Sequence, residues 1–262
     1  MTFQQRTIVV TGAGSGIGEA CARRFASEGA HVVLIGRRRK LLERVAADIG
    51  GLVLAGDAAS ADDWQGFIAS ILAEYGRLDA LVACAGGMGF GSATDTDDAA
   101  WQASLQANLN SAFVSARACL PELVQRRGAI VFMASIASLA AGPEVCGYTT
   151  TKHALIGLTR SLARDYGPTG VRVNAVCPGW VRTPMADEEM QPLMARYGDD
   201  LDAAYRRVTA DVPLRRAANS DEIAAVCRFL VSDEASIITG ATLVADGGST
   251  IVDVPTLAYG RL

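Results

Sequence analysis

Thr7-Ile8-Val9-Val10-Thr11-Gly12-Ala13-Gly14-Ser15-Gly16-Ile17-Gly18 sets the architecture of this chain, because an apolar run passes directly into four glycines within seven residues. Glu19–Ala26 follows, with good helix formers and apolar residues at helical spacing. Glycines let a backbone turn tightly and approach a pyrophosphate, whose charge the helix N-terminus stabilises. A second apolar run at His31–Ile35 completes a strand–helix–strand unit. The sequence therefore predicts a dinucleotide-binding unit at the start of the chain.

The rest of the chain keeps alternating strand and helix patterns. Strands are predicted at 51–55, 78–83, 129–133, 171–176 and 242–244, and helices at 40–49, 62–75, 99–125, 148–166 and 220–232. Strands regularly separated by helices imply a parallel sheet covered on both faces, with ligands at the carboxyl ends of the strands. We therefore predict a single α/β domain over residues 1–262, a Rossmann-type doubly wound parallel sheet of about seven strands with helices on both faces.

Tyr148 and Lys152 are spaced for proton transfer, with Ser135 thirteen positions upstream of the tyrosine. Residues four apart on a helix project from the same face. A free phenol, with a pKa near ~10, is a poor base at neutral pH. A lysine charge held about 4 Å away, at an effective dielectric of ~20, contributes ~4 kcal/mol, or roughly three pKa units. Such a shift brings a tyrosine into the range of general acid–base catalysis.

These motifs together resemble the short-chain dehydrogenase/reductase family. Gly12, Gly16 and Gly18 follow the spacing G-x-x-x-G-x-G, and Tyr148-x-x-x-Lys152 lies downstream. The further matches, in the family's order, are Asn108 in Leu-Gln-Ala-Asn-Leu, Ser135 in Ile-Val-Phe-Met-Ala-Ser, Pro178-Gly179 with Thr183, and Asp246-Gly247-Gly248. The resemblance covers about residues 6–248. It implies an NAD(P)-dependent oxidoreductase that transfers a hydride between a nicotinamide cofactor and a ketone or secondary alcohol.

The resemblance also implies a role for each catalytic residue. Tyr148 gives a proton to the carbonyl oxygen during reduction or takes it from the alcohol during oxidation, while Ser135 holds that oxygen. Lys152 lowers the pKa of the phenol and bonds the nicotinamide ribose, and Asn108 carries a water that links Lys152 to solvent. The cofactor-binding residues that the family pattern implies are Gly12, Ser15, Gly16, Ile17, Gly18, Arg37, Arg38, Asp57, Ala85, Gly86, Tyr148, Lys152, Pro178, Gly179, Val181 and Thr183.

The end of the second strand bears on the choice of dinucleotide. An acidic residue there bonds the ribose diol of NAD, but this chain has Gly36 followed by Arg37, Arg38 and Arg39. A guanidinium pairs with a 2′-phosphate in a bidentate manner. We therefore predict NADP(H), with NAD as the alternative, and Arg37 before Arg38 as the contact; a solvated helix start is the other interpretation of these arginines. Asp57 matches the family residue at the adenine, with an ordinary loop aspartate as the alternative.

Two segments depart from the family pattern. The family's Asn-Asn-Ala-Gly after the fourth strand is Ala83-Cys84-Ala85-Gly86 here, so the polar network of that loop must be built differently. Phe132-Met133-Ala134 stands where relatives often carry Asn-x-Ser, which leaves Ser135 alone to act.

Composition argues against several classes of protein. Half of the 262 residues are hydrophobic, and the net charge of −4 gives no reason to expect nucleic-acid binding. The sequence has no apolar stretch long enough to span a bilayer and no recognisable signal peptide before the first strand. The six cysteines contain no C-x-x-C pair and the two histidines lie far apart, so we expect reduced, mostly buried thiols, no metal site and a cytoplasmic location.

The substrate is expected to meet residues 185–212, which are predicted to form a mobile lid. Met185, Met190, Leu193 and Met194 are expected to cover a ligand while the many acidic residues of the lid face water. Residues 86–90 and 141–145 form the other walls, which are mainly apolar, and Trp180 is assigned to the core, an interface or this cleft. A hydrophobic or cyclic ketone or secondary alcohol fits such walls.

The sequence leaves two alternative functions open and implies an oligomer. A 3-oxoacyl-[acyl-carrier-protein] reductase is the narrower alternative, with Arg126, Arg127 and Arg172 as docking residues. A non-enzymatic dinucleotide-sensing protein is the alternative from another class, against which the intact catalytic residues argue. The family implies a homotetramer or homodimer, and the tail at 249–262 is predicted to pack on a neighbouring subunit through Val254, Leu257 and Tyr259.

Overall fold

A seven-stranded parallel sheet forms the centre of the computed structural model, which describes residues 3–261. Its strands are β1 (Thr7–Thr11), β2 (His31–Gly36), β3 (Leu52–Ala55), β4 (Ala80–Ala83), β5 (Ala129–Met133), β6 (Arg172–Pro178) and β9 (Thr242–Ala245). Between β6 and β9 along the chain, β7 (Val181–Arg182) and β8 (Ala218–Asn219) form a separate parallel pair. The order in the large sheet is β3-β2-β1-β4-β5-β6-β9. The direction of winding reverses between β1 and β4, so the prediction of a doubly wound sheet is confirmed.

Helices connect these strands and cover the sheet. They are α1 (Gly16–Ser27), α2 (Arg39–Ile49), α3 (Ala61–Tyr75), α4 (Asp98–Ser104), α5 (Ser111–Arg126), α6 (Cys146–Tyr166), α7 (Pro184–Tyr197), α8 (Leu201–Val208) and α9 (Ser220–Val231). Trp64, Leu123 and Leu155, from α3, α5 and α6, pack on one face of the sheet. Phe25 and Ile223, from α1 and α9, pack on the other. Because both faces are covered, the strands are continuous apolar runs.

The helix predicted at 99–125 is interrupted in the structure. Leu105–Asn110 forms a π-helical turn between α4 and α5, and Asn108 lies within it. A π turn inserts one residue into a helix while the chain continues in nearly the same direction. The apolar periodicity of the sequence therefore continues across the turn, and the interruption was not predicted.

The segment predicted as a lid is largely helical. Its helices, α7 and α8, enclose a small core of their own, formed by Ala186, Met190, Ala204, Tyr205 and Ala217. Leu193 and Met194 pack against this core. The expectation that Met190, Leu193 and Met194 cover a ligand is therefore wrong, because these side chains are used inside the segment.

The C-terminal tail lies beyond the last strand. It contains the 3₁₀ turns Ser249–Ile251 and Val254–Arg261, and it leaves Ile251, Val254 and Tyr259 exposed while Leu257 is half-buried. Within residues 3–261, none of the helices combines the length and the apolar character needed to cross a membrane.

Candidate active site

The glycine turn after β1 has a geometry that side chains would prevent. Gly12 and Gly16 have φ values of +67° and +55°, in the left-handed region. A Cβ on Gly18 would lie 2.3 Å from the carbonyl oxygen of Gly12, so α1 begins in direct contact with the turn. The glycines thus bring the N-terminus of α1 and the backbone of the turn to the same point, which a bound pyrophosphate requires.

Ser15 leaves the first N–H groups of α1 available. It occupies the N-cap position, yet its side chain makes no capping hydrogen bond to the helix. Its hydroxyl instead accepts a hydrogen bond from Nη2 of Arg38, at 2.9 Å. An uncapped helix N-terminus beside a guanidinium favours an anion. The residues present therefore fit the phosphate groups of a dinucleotide.

The loop after β4 is held by partners that replace the missing asparagines of the family pattern. The backbone N–H of Ala85 donates to Oγ1 of Thr11, at 3.0 Å. The N–H of Gly87 donates to Oδ1 of Asn108, at 3.1 Å. The loop is thus hydrogen-bonded to β1 and to the π turn through Thr11 and Asn108.

Three thiols meet beneath the glycine turn, which spacing in the sequence did not reveal. The six cysteines are free, and four of them are buried. The side chains of Cys84 and Cys227 interact with Cys21, and together with burial they raise the pKa of the Cys21 thiol well above its usual value. These thiols fill the space between α1, α9 and the loop after β4.

Tyr148 and Lys152 lie on one face of α6, as their spacing predicts. The Lys152 ammonium is buried and its Nζ lies 5.5 Å from the centroid of the Tyr148 ring. It donates a hydrogen bond to the carbonyl oxygen of Met133 at the end of β5, at 2.8 Å. Ser138 donates to the backbone carbonyl of Lys152, at 2.7 Å. These two bonds fix the lysine against the sheet edge.

The pKa values of this pair differ from the prediction made from the sequence. Burial raises the pKa of Tyr148, and the charge of Glu189 raises it further, while hydrogen bonding with Ser135 lowers it. Burial lowers the pKa of Lys152 to about 8. The predicted lowering of the phenol pKa by the ammonium is therefore not what the structure gives, because burial dominates and raises this pKa.

Asn108 connects three parts of the site. Its side chain is buried, and its Nδ2 donates to the carbonyl oxygen of Ser104, at 3.1 Å. Its Oδ1, which accepts from Gly87, would lie 3.0 Å from a Cβ on Gly86, and Nζ of Lys152 would lie 3.7 Å from the same position. Asn108 and Lys152 therefore reach the same point of the loop after β4.

One cleft of about 940 Å³, at the carboxyl ends of the strands, brings together all the residues predicted for catalysis and cofactor binding. These lining residues are Arg37, Arg38, Asp57, Gly12, Ser15, Gly16, Ile17, Gly18, Ala85, Gly86, Asn108, Lys152, Ser135, Tyr148, Pro178, Gly179, Val181 and Thr183. Thr183 also touches the glycine turn, since a Cβ on Gly16 would lie 3.1 Å from its Cγ2. The predicted set is thus contiguous in space.

The walls beside Tyr148 are mostly those expected from the sequence. Met88, Pro143, Val145, Trp180 and Met185 line the cleft. The two loops that carry the first three are joined, because the N–H of residue 91 donates to the carbonyl of residue 144, at 2.7 Å. Phe90, which was predicted as part of a wall, is 63% exposed and lies outside the cleft.

Glu189 is a cleft residue that was assigned wrongly from the sequence. The acids of residues 185–212 were expected to face water, but Glu189 is half-buried and lines the cleft with Tyr148. Helical spacing could have identified Glu189 as a cleft residue, because positions 185, 186 and 189 fall on one face of α7. That face is the one that meets the cleft.

Two other polar side chains have structural roles. Arg172, considered as a docking residue, donates to the carbonyl oxygens of Leu230, Val231 and Ser232 at distances of 2.6, 3.1 and 3.0 Å. Its guanidinium therefore caps the end of α9 and is not free to dock a partner. His153 is exposed, and its Nδ1 lies 2.9 Å from the carbonyl oxygen of Thr149.

Comparison with known proteins gives similarity over nearly the full chain. A family model described as enoyl-(acyl carrier protein) reductase matches residues 12–250. Protein MoaE of Klebsiella aerogenes is 52% identical over 97% of this chain and 99% of its own length. Meso-2,3-butanediol dehydrogenase of Serratia marcescens is 34% identical over 97% of this chain and 98% of its own. The crystal structure of levodione reductase matches with a TM-score of 0.90 at 29% identity, covering 96% of this chain and 100% of the other.

Proposed function

This chain belongs to the short-chain dehydrogenase/reductase family, and from that premise we propose that the cleft around Tyr148 interconverts a secondary alcohol and a ketone. The protein is an oxidoreductase that acts on CH–OH groups with a nicotinamide cofactor. The single observation that carries the assignment of its residues is the convergence of Tyr148, Lys152, Ser135 and Asn108 on one cleft that also contains the glycine turn.

The roles of these side chains follow from their contacts. The nicotinamide, when bound, supplies or accepts the hydride. Tyr148 moves the proton of the substrate oxygen, and Ser135, which interacts with the phenol, holds that oxygen beside it. Lys152, whose Nζ lies 5.5 Å from the centroid of the Tyr148 ring, favours the phenolate and would hold the ribose of the nicotinamide. Asn108, which lies near Lys152 at the loop after β4, holds a water molecule. Through this water the proton that Tyr148 takes from the substrate reaches solvent.

The dinucleotide is NADP(H) in this proposal. Arg37 and Arg38 line the far end of the cleft, directly after β2, and Arg38 already reaches Ser15 at the glycine turn. A 2′-phosphate at that position gains charge-assisted hydrogen bonds from the two guanidinium groups. Asp57 lines the same end, and its Oδ1 accepts from the N–H of Ala59, at 2.9 Å. Its second carboxylate oxygen is left for the adenine.

The substrate is a small or medium-sized secondary alcohol or the matching ketone. The walls beside Tyr148 are largely apolar, which favours hydrophobic substituents on the carbinol carbon. Two similar proteins, meso-2,3-butanediol dehydrogenase of Serratia marcescens and 2-(S)-hydroxypropyl-CoM dehydrogenase 3 of Xanthobacter autotrophicus, are named for secondary alcohols.

A panel of ketones and alcohols, assayed with both dinucleotides by the absorbance of the reduced nicotinamide, tests this function. The substrate found is then used with Tyr148→Phe, which keeps the ring and removes the hydroxyl. We expect less than a few per cent of the wild-type turnover together with nearly unchanged dinucleotide affinity. Higher residual turnover contradicts the role of Tyr148. Catalysis of a different reaction class by the wild-type protein contradicts the function.

A further inference from the structure

Glu189 is the acidic side chain that meets the substrate end of the cleft. It lies on α7 one turn after Met185 and Ala186, and these three residues line the cleft together with Pro184. Its carboxylate is near enough to Tyr148 for its charge to raise the pKa of the phenol. The two charged groups at this end are thus Glu189 and the ammonium of Lys152.

The Glu189 carboxylate has no partner among residues 3–261. Three other acids of the same segment have side-chain partners, whereas Glu188 is exposed to water. Asp187 accepts from the Tyr205 hydroxyl, at 2.8 Å, and Asp199 pairs with Arg207, at 2.7 Å. Asp202 pairs with Arg182, also at 2.7 Å. No hydrogen bond or ion pair reaches the Glu189 carboxylate from the described part of the chain, and its burial raises its pKa.

The basic residues that line the cleft are Lys152, Arg37 and Arg38, and the two arginines follow β2 at the dinucleotide end. Lys152 donates to the Met133 carbonyl, and Arg38 donates to Ser15 at the dinucleotide end. A partly buried carboxylate that lacks a partner costs free energy, and a cation that enters the cleft recovers that cost. The remaining walls at this end are apolar, so the cation has to come with the ligand.

We propose that Glu189 binds a protonated amine of the substrate, so that the preferred substrates are secondary alcohols or ketones with an ammonium group close to the reacting carbon. This inference rests on the proposed function, whose substrate class it narrows. A hydroxyl group makes a weaker bond to the same carboxylate, because it brings no charge.

The proposed contact also couples substrate binding to catalysis. In the free protein Glu189 opposes the ionisation of Tyr148. When the ammonium group of the substrate binds Glu189, it neutralises the charge of that carboxylate. The pKa of the Tyr148 phenol then falls towards the range that proton transfer needs. A substrate with the amine is therefore favoured twice, once in binding and once in the ionisation of Tyr148.

Three ligands of nearly equal shape provide the test: 2-amino-1-phenylethanol, 1-phenyl-1-propanol and 1-phenyl-1,2-ethanediol. They differ in one group, which is ammonium, methyl or hydroxyl at neutral pH. Their affinities are measured by calorimetry on protein saturated with its preferred reduced dinucleotide, with which an alcohol gives no product. Turnover with the oxidised dinucleotide is measured separately. The variants are Glu189→Gln and, as matched control, Glu188→Gln, which removes the same charge from an exposed neighbouring position outside the cleft.

The wild-type protein and Glu188→Gln should prefer the amine, and Glu189→Gln should lose that preference by about 30-fold while keeping its affinity for the methyl compound. With the methyl compound, Glu189→Gln should also move the rising limb of the pH–rate profile to lower pH, because the phenol no longer faces a carboxylate. A merely structural role for Glu189 shifts neither readout.

Three other outcomes overturn the inference, and a fourth separates it from the proposed function. Equal affinity of the wild-type protein for all three ligands shows that the carboxylate does not bind the substituent. A preference for the diol that Glu189→Gln abolishes shows a hydroxyl subsite. A loss of dinucleotide affinity without any change in ligand preference shows that Glu189 faces the cofactor. If the amine preference depends on Glu189 but no alcohol is oxidised and no ketone reduced, the inference about binding holds and the proposed function fails.

Discussion

Some side chains in this site lower the free energy of unfolding of the protein, because they are buried in an unfavourable environment. Lys152 is buried with its charge against a single carbonyl oxygen, and burial raises the pKa of Tyr148. Groups whose pKa values are moved by burial in a cleft are typical of catalytic sites. The site is therefore expected to lose function and gain stability when its charged groups are replaced by apolar ones.

Lys152→Met illustrates this exchange. The pKa of Lys152 in the folded protein, about 8, lies below its usual value of 10.5. The unfolded chain therefore binds more protons between these values, and the cost of the buried charge is complete below pH 8 and disappears as the pH rises through 10.5. Loss of the bond to Met133 offsets part of the gain, so we expect an increase of about 2 kcal/mol in the free energy of unfolding at neutral pH. Activity should be lost.

Denaturant unfolding at neutral pH and near pH 10 measures this effect, as the difference between variant and wild type. The difference should shrink at the higher pH. Lys40→Met is the matched control, because Lys40 is the only other lysine of the sequence and is exposed on α2. A gain in Lys40→Met equal to that in Lys152→Met shows that the buried charge is not its source.

Arg38→Ala tests the choice of dinucleotide. Arg38 lines the cleft and reaches Ser15, whereas Arg39 lies outside the cleft and is 3.8 Å from Glu43 on the surface of α2. We expect kcat/KM with NADP to fall by about 10- to 100-fold in Arg38→Ala, with a change below about threefold for NAD. Arg39→Ala should leave both values unchanged. Steady-state kinetics with the two dinucleotides decide, and equal losses for both argue against a 2′-phosphate contact.

Among helices and strands, the apolar runs and the spacing of polar residues predicted most of what the structure shows. The strands agree with the apolar runs, and the five inner strands are the most deeply buried. The predicted cofactor residues meet because the carboxyl ends of parallel strands share one edge. The π turn at Leu105–Asn110 leaves the apolar pattern intact and was missed. The structure also has a small core between α7 and α8, and it places Glu189 in the cleft. Both features depend on how two amphipathic helices pack together, which the local sequence pattern does not show.

The junction between β1 and α1 supports a paired substitution. A Cβ on Gly18 would lie 2.3 Å from the Gly12 carbonyl, while a Cβ on Gly66, within α3, would meet nothing within 4 Å. Gly18→Ala must displace α1 from the glycine turn and should lower the free energy of unfolding by about 1–3 kcal/mol. Dinucleotide affinity should fall with it. Gly66→Ala should instead raise the free energy of unfolding by about 0.5–1 kcal/mol, because alanine favours a helix.

Calorimetric melting of the two variants, with and without dinucleotide, measures both effects. Adding dinucleotide should raise the melting temperature of Gly66→Ala more than that of Gly18→Ala, because the glycine turn is intact in Gly66→Ala. If Gly18→Ala binds dinucleotide as tightly as the wild-type protein, the contact between Gly18 and Gly12 does not position the phosphate site.

In the protein as a whole, apolar side chains near residue 262 lie exposed on the surface. Ile251, Val254 and Tyr259 are 81%, 71% and 75% exposed, and they follow one another along the same pair of 3₁₀ turns. Large apolar side chains grouped in this way mark interaction surfaces. That the tail packs on a neighbouring subunit stays a prediction, which the exposure of these side chains motivates.

Removal of residues 253–262 is therefore expected to weaken a homo-oligomer. Val254, Leu257 and Tyr259 are lost with this segment, and the apolar area that they bury at a subunit contact is worth about 25 cal/mol per Å². Sedimentation velocity over a range of concentrations should show smaller species for the truncated protein than for the full chain. Val254→Ser combined with Tyr259→Ser keeps the length of the tail and should have the same effect, because the apolar side chains and not the backbone supply the contact. Unchanged sedimentation of the truncated protein, at concentrations where the full chain is oligomeric, means that the subunits meet elsewhere and that these side chains stay in water.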